Sequence, residues 1–78
     1  MIERLRASAA VERIRVHRDR KERILGIDGF RAVSGGFLAP IDPILDLSWI
    51  QSVSQAATEA EAFVTAQAAE DVTFEIVV

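Results

Sequence analysis

The feature that most constrains this chain is a change of hydrophobic period near residue 70. Between residues 48 and 70, apolar side chains recur every three or four residues, which is the spacing of one face of an α-helix. From Val72 to Val78 they recur at every second residue, which is the spacing of one face of a β-strand. A helix and a strand that each carry one apolar face bury those faces against each other. The pattern therefore predicts a long helix (about residues 48–70) packed on a small sheet that contains strand 72–78.

An Asp-Gly pair predicts a β-hairpin near the middle of the chain. Asp28-Gly29 lies between two apolar runs. This dipeptide favours a type I′ turn, because both central residues of that turn have positive φ. We therefore predict two antiparallel strands within residues 24–33, with Ile27 opposite Phe30.

The N-terminal residues predict a short helix followed by an ambiguous segment. Residues 1–10 contain no Gly or Pro and place Ile2, Leu5 and Ala9 at helical spacing. Residues 12–18 alternate polar and apolar side chains, which favours a strand. Continuation of the first helix also fits residues 12–23, and the sequence leaves both open.

Turn and capping signals define the remaining elements. The Gly35-Gly36 pair predicts a turn, after which residues 37–39 form a short strand that ends at Pro40. Ser48 and Gln51 fit a capping box for the long helix. We interpret Trp49, which follows the predicted cap, as a core anchor between helix and sheet.

These elements give a small α+β fold with a mostly antiparallel sheet and a single domain, residues 1–78. A chain of 78 residues is too short for two ordinary domains, and 50% hydrophobic residues suffice for one core. The absence of cysteine excludes disulfides and thiolate metal sites. No run approaches the ~20 apolar residues that span a bilayer. We expect a cytoplasmic protein without membrane contact.

Charged residues are segregated along the chain. All nine basic residues lie between Arg4 and Arg31, and residues 1–31 also contain five acidic residues, so this segment carries a net charge of +4. Residues 32–78 contain seven acidic residues and no Lys or Arg, a net charge of −7. Two copies of the chain therefore offer complementary segments to each other.

The sequence carries no recognisable catalytic or metal-binding motif. Its only histidine, His17, lacks a second His or Cys to complete an ordinary site, and we interpret it as a solvated surface residue. Asp42 and Asp46 are a candidate carboxylate pair, although Asp42 begins an Asp-Pro turn and Asp46 suits a helix N-terminus. A domain this small leaves little room for a ligand pocket. We expect no enzyme activity, no catalytic residues, no metal and no cofactor.

The densest group of cations is the leading candidate for a binding surface. Arginine donates paired hydrogen bonds to carboxylates and phosphates. The candidate contacts for an acidic partner are Arg13, Arg15, Arg18, Arg20 and Arg23. The segment has no aromatic residue to stack on bases, and the pI of about 5.0 disfavours general nucleic-acid binding. A nucleic-acid accessory protein that uses the same arginines is the alternative function, and the interspersed acids also fit an ordinary solvated surface.

We expect a non-enzymatic protein-interaction module of the adaptor, inhibitor or neutralising type. Self-association, most simply as a homodimer, would stabilise so small a domain by burying more apolar area. Candidate interface residues are Ile24, Val33 and Val77. A small-ligand binder or enzyme assembled from several copies is the least favoured function. No motif identifies another protein as the partner.

Overall fold

The chain adopts the predicted α+β class of fold. The computed structural model describes residues 4–41 and 44–78. In chain order the elements are α1 (Ala7–Asp19), β1 (Gly26–Val33), β2 (Phe37–Pro40), β3 (Leu45–Asp46), α2 (Val53–Gln67) and β4 (Val72–Val77). A small antiparallel α+β fold with a short N-terminal helix and a C-terminal strand is confirmed. Residues 1–3, the start of the predicted first helix, lie outside the described residues. Residues 4–6 are not helical, so the prediction of helix there is wrong and α1 begins at Ala7.

β1 is the central strand of a four-stranded antiparallel sheet. Residues 26–31 of β1 pair along one edge with β4. Along the other edge, β1 pairs first with β3 and then with β2. Leu5 extends the sheet beyond β4, because its N–H donates to the Phe74 carbonyl at 2.8 Å and its carbonyl accepts from the Phe74 N–H at 2.7 Å. The C-terminal strand therefore lies between β1 and Leu5.

The predicted hairpin turn at Asp28-Gly29 is wrong, because β1 runs through both residues. Positive φ occurs instead at Gly35 (85°) and Gly36 (83°), in the 3₁₀ turn that joins β1 to β2. Gly29 is buried, and a methyl group added there would lie 3.2 Å from the Ile41 Cδ1 atom. Gly29 therefore allows close packing, and the turn is formed by Gly35 and Gly36 instead.

The register of β1 separates a helix-facing side of the sheet from an outer side. Ile27 pairs with Ile76 beneath the helices, whereas Phe30 pairs with Thr73 on the outer side. The predicted pairing of Ile27 with Phe30 is therefore wrong. The two residues belong to one strand and are three positions apart, so their side chains point to opposite faces.

α1 replaces the strand favoured at residues 12–18. Ala10 and Ile14, one helical turn apart, are fully buried. Val16, which a strand would have placed in the core beside Ile14, is 39% exposed. The helix ends before Lys21, whose φ of 62° lies in the left-handed region and cannot continue a right-handed helix. Continuation of the first helix, the other possibility that the sequence left open, is correct.

α2 begins later than the predicted cap. The sequence contains the Ser-x-x-Gln pattern twice in succession, and the helix uses the second copy. The Ser52 hydroxyl accepts a hydrogen bond from the Gln55 N–H at 3.2 Å, whereas the Ser48 hydroxyl donates to the Asp46 carboxylate at 2.7 Å. The helix ends at Gln67, three residues before the predicted end.

Both helices pack on one face of the sheet and enclose one cluster of buried apolar residues. The cluster consists of Ala10, Ile14, Ile24, Ile27, Leu47, Ile50, Ala56, Ala57, Ala60, Val64, Val72 and Phe74. The small side chains that α2 contributes allow the helix to approach α1 and the sheet closely. Trp49, predicted as a core anchor, is 71% exposed. Its neighbours Leu47 and Ile50 occupy the core instead, because a turn at residues 48–49 directs Trp49 outward.

Candidate functional site

The five predicted contact arginines do not form one surface. Arg13 and Arg20 are seven residues apart, about two helical turns, and lie on one side of α1. Arg15 lies on the side that faces α2, where its Nη2 atom is 3.0 Å from Glu61 Oε1. The fold therefore separates side chains that are close in the sequence.

Arg23 has a structural role within the chain. Its Nη1 atom donates to the Ser48 and Ile50 carbonyls, both at 2.9 Å. These bonds tie the segment after α1 to the turn that precedes α2. Arg18 bonds to the carboxylate of its neighbour Asp19 at 3.2 Å. Binding of an acidic partner by the five arginines stays a prediction, with Arg23 already committed to two internal acceptors.

The fold brings the two oppositely charged halves of the sequence together within one molecule. Among the described residues, the ion pairs that join a cation of the first segment to an acid of the second include Arg4–Glu75 (3.9 Å), Arg15–Glu61 (3.0 Å) and Arg31–Asp71 (3.5 Å). In addition, Arg6 Nη1 donates to the Glu70 carbonyl at 2.6 Å. Exposed pairs of this kind contribute only about 0–1 kcal/mol each. They nevertheless pair, within one molecule, some of the opposite charges that we expected to pair between two copies.

The polar groups considered for chemistry make local structural contacts. His17 Nδ1 lies 2.9 Å from Glu22 Oε1 and its side chain is only 16% exposed, so the prediction of a solvated surface histidine is wrong. Hydrogen bonds from the Ser48 hydroxyl and backbone N–H lower the pKa of Asp46 below its ordinary 3.8. Asp42 lies outside the described residues. Within residues 4–41 and 44–78, no three His, Asp or Glu side chains converge on a point that could hold a metal ion.

The β1–β2 hairpin extends beyond the rest of the sheet. The strand pairing of β1 with β4 stops at Arg31, and one further bond, from the Ala32 N–H to the Asp71 carbonyl at 2.8 Å, ties the base of the hairpin to the segment before β4. Within the described part of the chain, residues 32–38 otherwise pair only with each other. Every residue from 31 to 38 is exposed. We call residues 32–38 the arm. The molecule measures 39 Å along its longest axis against 24 and 21 Å along the others, as a projecting hairpin requires.

The arm exposes apolar side chains on both of its faces. Val33 and Phe37 oppose each other on the helix-facing side, and Phe37 is 72% exposed. Leu38 opposes Ala32 on the outer side and is 40% exposed. No charged residue occurs between Ala32 and Ile41. An isolated hairpin of this composition is only marginally stable in water, which makes its apolar surface a candidate contact site.

A cavity of about 420 Å³ opens at the base of the arm on the helix-facing side. Arg31 and Ala39 form one wall as an opposed pair of β1 and β2, and Gln67 at the end of α2 forms the other. Pro40 and Ile41 complete the lining. The cavity thus lies next to the strand that carries Phe37.

The three predicted interface residues lie in different environments. Ile24 is 1% exposed and belongs to the core, so it is unavailable to a partner. Val33 and Val77 are both 43% exposed. Val77 pairs with Gly26, seven residues from Val33 along β1, or about 23 Å at ~3.3 Å per residue. These two valines therefore belong to opposite ends of the sheet.

Sequence reasoning missed Phe37, Leu38 and the cavity. It assigned residues 37–39 to a strand without asking whether a helix covered that strand. The lack of charge from Ala32 to Ile41 is the one sequence signal that marks this region, because an ordinary solvated hairpin of ten residues carries charged side chains.

Comparisons with protein-family models, with curated protein sequences and with solved protein structures found no match. Neither α1 nor α2, nor any other helix within the described ranges, is long and apolar enough to span a membrane. The function is therefore inferred from the geometry of the chain itself.

Proposed function

We propose that this chain is a non-enzymatic protein-interaction module whose contact surface is the arm. The observation that carries the proposal is the 72% exposure of Phe37 on a hairpin that no other element of the described chain covers. Aromatic residues are enriched at the energetically dominant points of protein interfaces. Complete burial of such a side chain contributes about 1.5–3 kcal/mol, so a partner that covers Phe37 gains affinity from this residue alone.

A protein partner fits the arm better than a nucleic acid does. Binding to the phosphate backbone depends on Lys and Arg contacts, and the arm contains neither. The arginines of residues 13–23 are divided between two sides of α1 and internal hydrogen bonds, which weakens the nucleic-acid alternative. A cytoplasmic location, which the lack of cysteine suggests, is part of the same proposal.

A matched pair of variants tests this proposal. Phe37→Asp places a charge on the arm, and Trp49→Asp places the same charge at an equally exposed aromatic residue outside it (72% and 71% exposed). Each protein is tagged, immobilised and incubated with an extract of the source organism, and retained proteins are quantified by mass spectrometry. Circular dichroism checks that all three proteins are folded.

We expect wild type and Trp49→Asp to retain a common set of proteins that Phe37→Asp loses by at least about tenfold. Retention of the same set by Phe37→Asp would refute the arm as the contact surface. If Trp49→Asp lost these proteins and Phe37→Asp retained them, the contact surface would be the turn at residues 48–49 and not the arm.

A further inference from the structure

We propose that the arm binds a second copy of this chain through antiparallel pairing of the two β2 strands about a twofold axis at Leu38. The dimer rests on the proposed function, because its contact surface is the arm. Both copies would contribute the same edge strand, and the two sheets would join into one.

The exposed edge of β2 offers a limited set of backbone groups. Ile41 N–H donates to the Gly29 carbonyl at 2.8 Å, which makes these two residues a hydrogen-bonded pair of the β1–β2 ladder. Hydrogen-bonded and non-bonded pairs alternate in an antiparallel ladder, so the backbone groups of Leu38 and Pro40 point away from β1. Pro40 has no N–H. Leu38 is thus the single residue of β2 that offers both a donor and an acceptor at this edge.

Among twofold axes that pass through a hydrogen-bonded pair, this arrangement selects one residue of β2. A residue that pairs with its own copy must both donate and accept one hydrogen bond. An axis at Pro40 fails, because neither copy can donate there. An axis at Leu38 forms two hydrogen bonds, from each Leu38 N–H to the Leu38 carbonyl of the other copy.

The same register directs Phe37 to the cavity of the other copy. With Leu38 opposite its copy, Phe37 lies opposite Ala39 of the second chain as a non-hydrogen-bonded pair with Cα atoms about 4.5 Å apart. Both residues lie on the helix-facing side of the sheet. Ala39 lines the cavity of about 420 Å³ and its short side chain leaves space for a ring. Each copy therefore supplies one aromatic ring and receives one.

Reciprocity and charge favour a second copy over an unrelated protein. A twofold interface requires a surface that is complementary to itself. Phe37 and the cavity-lining Ala39 are two residues apart on one strand, which is the spacing that a twofold axis at Leu38 superimposes. Each copy carries a net charge of −3, yet residues 32–41, which include both paired strands, are uncharged. Arg31, which lines the cavity, is paired with Asp71 of its own chain at 3.5 Å. The short strands bury less area than the ~1,600 Å² of a standard interface, and we expect a dissociation constant on the order of micromolar.

Sedimentation equilibrium from micromolar to millimolar concentration measures the association. The monomer has a mass of 8.6 kDa, and we expect the average mass to approach twice that value as concentration rises. Phe37→Asp should weaken dimerisation at least about tenfold, and Trp49→Asp should leave it within about twofold.

Leu38→Pro tests the backbone pairing separately from the apolar contact. The Leu38 N–H points away from β1, so a proline there removes a bond between copies and none from the β1–β2 ladder. Leu38→Ala is the control for the lost leucine side chain. The preceding residue, Phe37, has φ −87° and ψ 156°, which is compatible with a following proline. We expect a folded protein with dimerisation weakened at least about tenfold.

A mixed sample of isotope-labelled and unlabelled chains gives the direct contact. We expect a nuclear Overhauser effect between the Phe37 ring of one copy and the Ala39 methyl group of the other. A monomer at all concentrations would overturn the dimer, and so would a dimer that Phe37→Asp and Leu38→Pro leave intact. If a monomeric chain still captured other proteins through Phe37, the dimer alone would be refuted and the arm would remain the contact surface.

Discussion

Alanine substitutions at the two glycines of β1 test whether these residues serve close packing or a turn. At Gly26, an added methyl group would lie 2.8 Å from the Leu45 carbonyl oxygen, a backbone atom that no rotamer change can displace. β1 and β3 must therefore move apart, and their pairing is weakened. At Gly29, the nearest atom is Cδ1 of Ile41 at 3.2 Å, the end of a flexible side chain.

The two substitutions should differ in free energy of unfolding by at least about 1 kcal/mol. Forcing an extra methyl group into a packed site costs about 1–3 kcal/mol, and we expect Gly26→Ala to fall in that range. Gly29→Ala gains about 0.4–1 kcal/mol from the reduced entropy of the unfolded chain. A small shift of Ile41 offsets that gain, so we expect the free energy of unfolding of Gly29→Ala to equal that of wild type.

Thermal and urea unfolding followed by far-ultraviolet circular dichroism give the comparison. Fluorescence is a poor probe here, because Trp49 is already exposed in the folded chain. A difference of 1 kcal/mol corresponds to about 4–8 °C in Tm for a domain of this size. Gly36→Ala is a control for backbone conformation alone, because Gly36 has φ 83° and no atom near the added methyl group; we expect it to cost about 1–2 kcal/mol. If Gly29→Ala proves as costly as Gly26→Ala, residue 29 is not in a regular strand.

Three further substitutions test contacts that hold the framework. Ser52→Ala should lower the free energy of unfolding by about 1 kcal/mol, measured by urea unfolding, because the helix cap is lost. Asp46 has a lowered pKa in the folded chain, so its contribution to the free energy of unfolding is complete above pH 3.8 and is lost as pH falls through the folded pKa. In Ser48→Ala, which lacks the hydroxyl donor, a carboxyl NMR titration should show the pKa of Asp46 rising toward 3.8. Arg23→Ala should cost about 1–3 kcal/mol in urea unfolding because two carbonyls lose a charged donor, whereas Arg20→Ala should stay within about 0.5 kcal/mol.

The elements that sequence reasoning located correctly are those with a long and regular period. α2 and β4 each repeat one spacing over several turns or residues, so a misjudged position changes little. Burial in the structure follows that spacing, with Ala56, Ala60 and Val64 buried on α2 and Val72 and Phe74 on β4. Local sequence is sufficient here because one face of each element meets the same core along its whole length.

The prediction of a hairpin turn at Asp28-Gly29 was wrong because the reason for a glycine there lies elsewhere in the sequence. The dipeptide has the right composition for a hairpin, but the requirement for a glycine at position 29 comes from Ile41, twelve residues later. A similar requirement at Gly26 comes from the backbone of Leu45. Neither neighbour is visible in a local window, so a glycine that permits close approach resembles a glycine that permits positive φ.

The prediction of a strand at residues 12–18 was wrong because the alternating pattern is too short to identify a strand. Ile14 and Val16 alternate with arginines over too few positions to separate a strand from a helix. Packing against α2 and β4 decides the outcome, because Ala10 and Ile14 lie one helical turn apart and both reach the core. Because the segment is helical, Val16 lies on a different side of α1 from Ile14 and is exposed.

The candidate contact surface depends on where the sheet ends, which the sequence does not state. Val33 was identified from its apolar character alone, and Ile24 was identified on the same grounds although it is buried. The difference arises because β4 pairs with β1 only as far as Arg31. On the helix-facing side of the sheet, an apolar residue before that point is covered by the helices, and one beyond it is exposed.

The segregation of charge has a different meaning in the folded chain than in the linear sequence. As a sequence, the +4 and −7 segments suggest attraction between copies. In the fold, antiparallel pairing of β1 with β4 and packing of α1 on α2 bring those segments into contact within one molecule. Ion pairs such as Arg15–Glu61 and Arg31–Asp71 join them. Internal pairing leaves less opposite charge for a second copy, and the segment without any charge is the arm. Association between copies is therefore expected at the apolar hairpin, because the strands that pair there carry no charged residue that would repel its copy.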